Sequence, residues 1–92
     1  MFNKELVLKS FADYMIKDGK PNGGVQLVFK FYNGYGASLI YGPYSYGNEI
    51  AVLRFTSDTD WGLCYSTEIT NDVVGHLDTD GVIETLNQIK SL

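Results

Sequence analysis

The sequence predicts a single α+β domain over residues 1–92, a four-stranded antiparallel meander with an N-terminal and a C-terminal helix packed on one face. Three observations carry that expectation. Apolar residues recur at helical spacing near both ends, the middle of the chain alternates with period two, and Asn33-Gly34 marks a tight turn between two alternating runs.

Residues 3–18 read as an amphipathic helix. Asn3 can cap it, Val7, Leu8, Phe11 and Met15 form an apolar stripe, and Gly19 supplies a stop. Glu5 precedes Lys9, and Asp13 precedes Lys17, by four residues, the order that favours ion pairs on an exposed helix face. Lys20-Pro21-Asn22-Gly23-Gly24 then breaks the chain.

From Val25 the period is two: Val25, Leu27, Phe29 and Phe31 alternate with Gln26, Val28, Lys30 and Tyr32. Asn33 and Gly34 suit the two positive-φ positions of a type I′ turn. A two-residue loop would pair Tyr32 with Tyr35, Phe31 with Gly36, Phe29 with Ser38 and Leu27 with Ile40. One face then sets phenylalanines against small residues and is assigned to the core. The other carries Lys30, Tyr32, Tyr35, Ala37, Leu39 and Tyr41.

Gly42 to Asn48 is a loop by its Gly and Pro content, and Glu49 to Thr56 resumes strand composition with Ile50, Val52 and Phe55. A polar turn over Ser57 to Asp60 leads into Trp61 to Ser66 as the fourth strand. Thr67 to Leu77 is read with one short helical turn around Asp72-Val73-Val74. Asp78 or Thr79 caps a final helix whose stripe is Val82, Ile83, Leu86 and Ile89.

Composition narrows the classes. A chain of 92 residues, 45% hydrophobic, can build one core but not two. The net charge of −4 is uneven, with the excess of acids after residue 50, and such a surface repels phosphate backbones, so no direct nucleic-acid binding is expected. Cys64 is the only cysteine, which excludes an intrachain disulfide and fits a reducing cytoplasm. No apolar run reaches the roughly 18–20 residues of a membrane span, and the first residues lack the apolar stretch of a signal peptide, so neither membrane association nor a cleaved leader is expected.

Chemistry-bearing patterns are sparse. His76 to Gly81 invites comparison with a calcium loop, but His76 and Asn87 occupy positions that need carboxylates, and helix capping explains Asp78, Thr79 and Asp80 more simply. His76 and Cys64 would form a nucleophile–base pair only if folding brought them together, and the surrounding acids oppose a thiolate. The expectation is no catalytic residue, no metal site, no cofactor and no enzymatic activity.

The aromatic cluster says more. Tyr32, Tyr35, Tyr41, Tyr44 and Tyr46 are five of the seven tyrosines. Tyrosine suits surfaces that are wet alone and dry in a complex. Strand propensity explains part of the cluster equally well, but not Tyr44 and Tyr46, which fall in a loop. All five are therefore taken as candidate partner-binding residues.

Taken together, Gly23-Gly24-Val25-Gln26, Asn33-Gly34-Tyr35-Gly36-Ala37-Ser38, Glu49-Ile50-Ala51-Val52-Leu53 and the run Cys64 to Leu77 resemble a group of short phage and prophage proteins from phages of Gram-positive bacteria. The resemblance implies phage origin and the host cytoplasm, and it carries over no catalytic or binding residue. The expected function is a small module that binds a host or phage protein, inhibition of a host defence protein being the role in view. Two alternatives are a small-ligand or nucleotide binder, with a pocket between the 42–48 loop, Trp61 and His76, and a self-assembling structural protein or homodimer.

Overall fold

The computed structural model describes residues 1–70 and 72–92. At its centre is an antiparallel sheet of six strands rather than the four expected: β1 (Met15–Gly19), β2 (Val25–Lys30), β3 (Tyr35–Tyr41), β4 (Asn48–Phe55), β5 (Trp61–Leu63) and β6 (Val73–Leu77). Helices α1 (Lys4–Phe11) and α2 (Thr79–Lys90) stand at the two ends of the chain. The strands lie in the order β1-β2-β3-β4-β5. β6 shares the outer edge of β4, lying beside Asn48 to Ala51 while β5 lies beside Leu53 to Phe55.

The two extra strands replace elements read as helical. α1 begins as expected, with the Asn3 side chain accepting from Leu6 N at 3.1 Å, but it ends at Phe11, and Met15 to Gly19 pair with β2. Helix propensity is a weak preference that one favourable tertiary pairing overturns, and here β1 satisfies the otherwise open edge of β2. The ion pair formed is Lys4–Asp18 at 2.7 Å rather than Glu5–Lys9 or Asp13–Lys17. Likewise Val73 and Val74 lie in β6, not in a helical turn, as their β-branched side chains favour. Asn71, within the same run, lies outside the described residues.

The hairpin departs from the expected register by one residue. Phe29 pairs with Ala37, Leu27 with Leu39 and Lys30 with Gly36, while Phe31 N donates to Tyr35 O at 2.9 Å. The loop is therefore Tyr32-Asn33-Gly34, a three-residue connection in which Gly34 alone takes the positive φ, +84°. Asn33 is engaged elsewhere. Its carbonyl accepts from Tyr35 N, and its amide reaches the carbonyls of Ile89, Lys90 and Leu92 at 2.9–3.1 Å, capping the C-terminal end of α2.

A one-residue slip moves alternate side chains of β3 to the other face. Tyr35, Ala37, Leu39 and Tyr41 thus share the helix-covered face with Leu27, Phe29 and Phe31, whereas Gly36, Ser38 and Ile40 belong to the opposite face of the sheet. The main core joins Val7 and Phe11 of α1 and Val82, Leu86 and Ile89 of α2 to this face of the sheet. Phe11 meets Phe29 and Phe31 edge-on, both at 6.2 Å. A smaller cluster of Val28, Leu53 and Phe55 lies on the opposite face.

Replacing Asn33 with alanine is expected to lower the unfolding free energy by about 1–3 kcal/mol, because carbonyls at the end of α2 and the Tyr35 amide lose their partner together. Urea denaturation measures this. A change under about 0.5 kcal/mol, the ordinary range of a surface substitution, would show that the cap contributes nothing.

Candidate functional site

The Gly42–Gly47 loop joins β3 to β4 and is fixed by its own polar groups. Ser45 Oγ accepts from Gly42 N at 3.0 Å and lies 2.7 Å from the Gly47 carbonyl, to which it can donate. Tyr46 N donates to Glu49 Oε2 at 2.9 Å, and His76 N donates to Tyr46 O at 2.6 Å, tying the loop to β6. Gly47 at φ +63° makes the bend into β4. His76 is the one non-glycine residue with positive φ among those described, at +54°, and its ring lies 6.1 Å from that of Tyr46.

This frame holds Tyr44 and Tyr46 out into solvent at 88% and 63% exposure. Beneath Tyr44 a cavity of about 110 Å³ is lined by Pro21, Val25, Ile40, Tyr41, Pro43 and Tyr44. Pro21 comes from the turn between β1 and β2 and reaches the site because Gly24 lets two backbones touch. A Cβ there would lie 2.4 Å from the Tyr41 carbonyl.

The five candidate tyrosines do not form one surface. β3 has Tyr35 at one end and Tyr41 at the other, about 20 Å apart at strand spacing. Tyr41, Tyr44 and Tyr46 gather at the loop end. Tyr32 projects from the hairpin at the opposite end, beside Tyr14 at 5.3 Å, and Tyr35 is half-buried against the core with the Arg54 guanidinium 4.7 Å from its ring. The tyrosine-bearing sheet face expected from a two-residue turn is thus replaced by two separate poles.

The alternative pocket is not assembled. Trp61 pairs with Phe55 at the far end of β4 from the 42–48 loop and from His76. Cys64 and His76 are apart as well: Cys64 N donates to Val52 O within β4, whereas His76 lies against Gly47, where the chain bends before β4 begins. The Cys64 thiol is held below its ordinary value by the backbone N–H of Ser66 and by the Ser66 hydroxyl, 3.6 Å from Sγ, with burial opposing them and the Arg54 charge assisting. The one histidine of the chain, His76, lies at the other end of β4 and is not placed to act as general base to that thiol. Asp78 is the cap of α2, accepting from Gly81 N at 2.7 Å, and no group of three or more metal-ligating side chains occurs among the described residues. Nor is any described helix long and apolar enough to cross a membrane.

Pro21, Val25, Ile40 and Pro43 line the site but are not among the residues that sequence reasoning singles out. For Pro21 the signal is the Gly23-Gly24 pair after it, which marks a close backbone approach as well as a break. No family model, curated protein or solved structure matches this chain.

Proposed function

We propose that this chain is a phage-encoded protein-binding module that docks its Gly42–Gly47 pole on a host protein in the cytoplasm, with inhibition of a defence protein as its role. The observation that carries the reading is Tyr44, 88% exposed on a loop whose conformation is fixed by the Ser45 and Glu49 hydrogen bonds. A rigid aromatic anchor loses little freedom on binding, and interfaces concentrate their affinity in such residues. The adjoining cavity, walled by Pro21, Tyr41 and Pro43, has room for one apolar side chain of a partner. The resemblance to short phage proteins supplies the biological setting.

Affinity capture from host lysate with the wild-type chain, followed by titration of the captured protein, tests the proposal. Tyr44→Ala is expected to weaken that binding by about 2 kcal/mol, roughly thirtyfold, and Tyr41→Ala or Tyr46→Ala by less. Tyr32→Ala, at the other pole, should leave it unchanged. Equal loss in all four variants, or in none, would refute this surface.

The cavity also bears on the small-ligand reading. At about 110 Å³ it falls below the roughly 300–1,000 Å³ of pockets that enclose a nucleotide-sized ligand. A thermal-shift screen against nucleotides should accordingly show no stabilisation arising at this cavity. A shift abolished by Tyr41→Ala would instead favour a ligand site here, whereas one that Tyr41→Ala leaves intact would point to the larger cleft, about 530 Å³, lined by Glu68, Ile69, Gln88, Ser91 and Leu92.

A further inference from the structure

The walls of the cavity beneath Tyr44 restrict what can enter it. Pro21, Pro43 and the rings of Tyr41 and Tyr44 surround it, and none of its lining residues is charged. A charged side chain placed there would lose its hydration with no counter-charge in the wall. Size sets a second limit. At about 110 Å³ the cavity is smaller than the roughly 150 Å³ apolar cavity that takes up a benzene ring, so it does not enclose a phenyl or indole group.

Hydrogen bonding narrows the choice further. Gly24 N donates to the Pro21 carbonyl at 2.8 Å, Gly42 N to Ser45 Oγ at 3.0 Å and Ser45 N to the Gly42 carbonyl at 3.3 Å. Val25 with Tyr41, and Ile40 with Glu49, are paired within the sheet. Pro21 and Pro43 have no N–H to offer. The wall thus holds no open row of backbone groups to which a partner strand could be added. The Tyr41 and Tyr44 side chains are exposed, and their hydroxyls, which bond no described residue, can donate.

We infer that the occupant is a proline of a partner segment in the polyproline II conformation. The inference deepens the docking of the Gly42–Gly47 pole proposed above and rests on it. Leucine, valine and proline all meet the limits of size and charge, but the first two bring a backbone N–H against an apolar wall, where an unpaired donor is costly. Proline brings none. Its segment presents carbonyls instead, because a polyproline II helix has no internal hydrogen bonds, and carbonyls are what the two tyrosine hydroxyls can meet. Such a segment is extended before it binds and loses little freedom on docking, and grooves lined by aromatic rings are its recurrent receptors.

Titration of the isotope-labelled chain with blocked decaproline, followed by its amide chemical shifts, tests this. Saturation is expected with a dissociation constant of about 0.1–1 mM, as suits one ring in a small cavity. The Gly42, Tyr44 and Ser45 amides should move and that of Tyr32 should not. Tyr44→Ala should weaken the peptide at least about tenfold. Its side chain is exposed, so the variant is expected to fold. Tyr41→Phe, which keeps the ring and removes the hydroxyl, should weaken it about threefold to tenfold. A Gly-Ser peptide of the same length should not saturate.

No saturation with decaproline, equal binding of a peptide with leucine at the central positions, or shifts that Tyr44→Ala leaves intact would overturn the inference. Its failure is separable from that of the docking surface. A captured host protein that Tyr44→Ala releases, but that decaproline does not displace, keeps the surface and removes the proline. Decaproline binding that depends on Tyr44, with capture unaffected by Tyr44→Ala, keeps the proline site and removes that captured partner.

Discussion

Replacing Phe11 with alanine is expected to lower the unfolding free energy by about 3–5 kcal/mol, as removal of a fully buried aromatic ring from a packed core does. Phe11 is 1% exposed and is the last residue of α1. Its ring meets both Phe29 and Phe31 edge-on, so the substitution removes two aromatic contacts as well as the buried area. It also releases the point at which the chain turns from helix to edge strand. For a domain of this size, such a loss corresponds to a fall in melting temperature of roughly 12–30 °C. Chemical denaturation and thermal unfolding by circular dichroism give both quantities. A loss under about 1 kcal/mol would mean that α1 contributes little to the core.

The second large effect is expected at Gly36. A Cβ there would lie 2.1 Å from the Phe29 carbonyl and 2.5 Å from the Phe55 ring. The ring could move, but the carbonyl belongs to the β2–β3 pairing and cannot move without breaking it. Gly36→Ala should therefore cost about 3 kcal/mol or more, at the upper end of overpacking substitutions. Gly62→Ala is the matched control, since nothing lies within 4 Å of a Cβ at that strand position. Its effect on the single chain should stay within about 1 kcal/mol. If the two alanine variants unfold at the same denaturant concentration, the close packing of Phe55 over Gly36 is not a constraint on the fold.

These residues also show where sequence reasoning succeeds. The α+β class, the antiparallel sheet, the terminal helices and the apolar stripe of α2 follow from local periodicity, and the structure has each of them. Val25, Leu27, Phe29 and Phe31 face the core because a period of two leaves no other choice. Asp78 caps α2 because its carboxylate can reach the amide three residues on.

The register of the hairpin was not legible in the same way. Asn-Gly favours a two-residue turn when nothing else competes for asparagine. Here the carbonyls at the end of α2, 56 or more residues away in sequence, accept from the Asn33 amide, and the loop takes three residues. That one change moved Tyr35 and Tyr41 to the helix-covered face and divided the expected tyrosine surface into two poles. The candidate site was legible only in its loop. Tyr44 and Tyr46 stood out because strand propensity does not explain them, whereas Pro21 joins them through contact between Gly24 and Tyr41.

Composition and local periodicity dictate which residues are apolar, at what spacing, and so how much helix and strand the chain can form. Tertiary structure decided which of those segments found partners. Met15 to Gly19 became a strand because β2 had an open edge, Val73 to Leu77 because β4 did, and the tyrosines took their places from a register set by the far end of the chain. The physical reason is the same in each case. A local preference is worth tenths of a kcal/mol per residue, whereas a satisfied backbone ladder or a capped helix end is worth about a kcal/mol per bond.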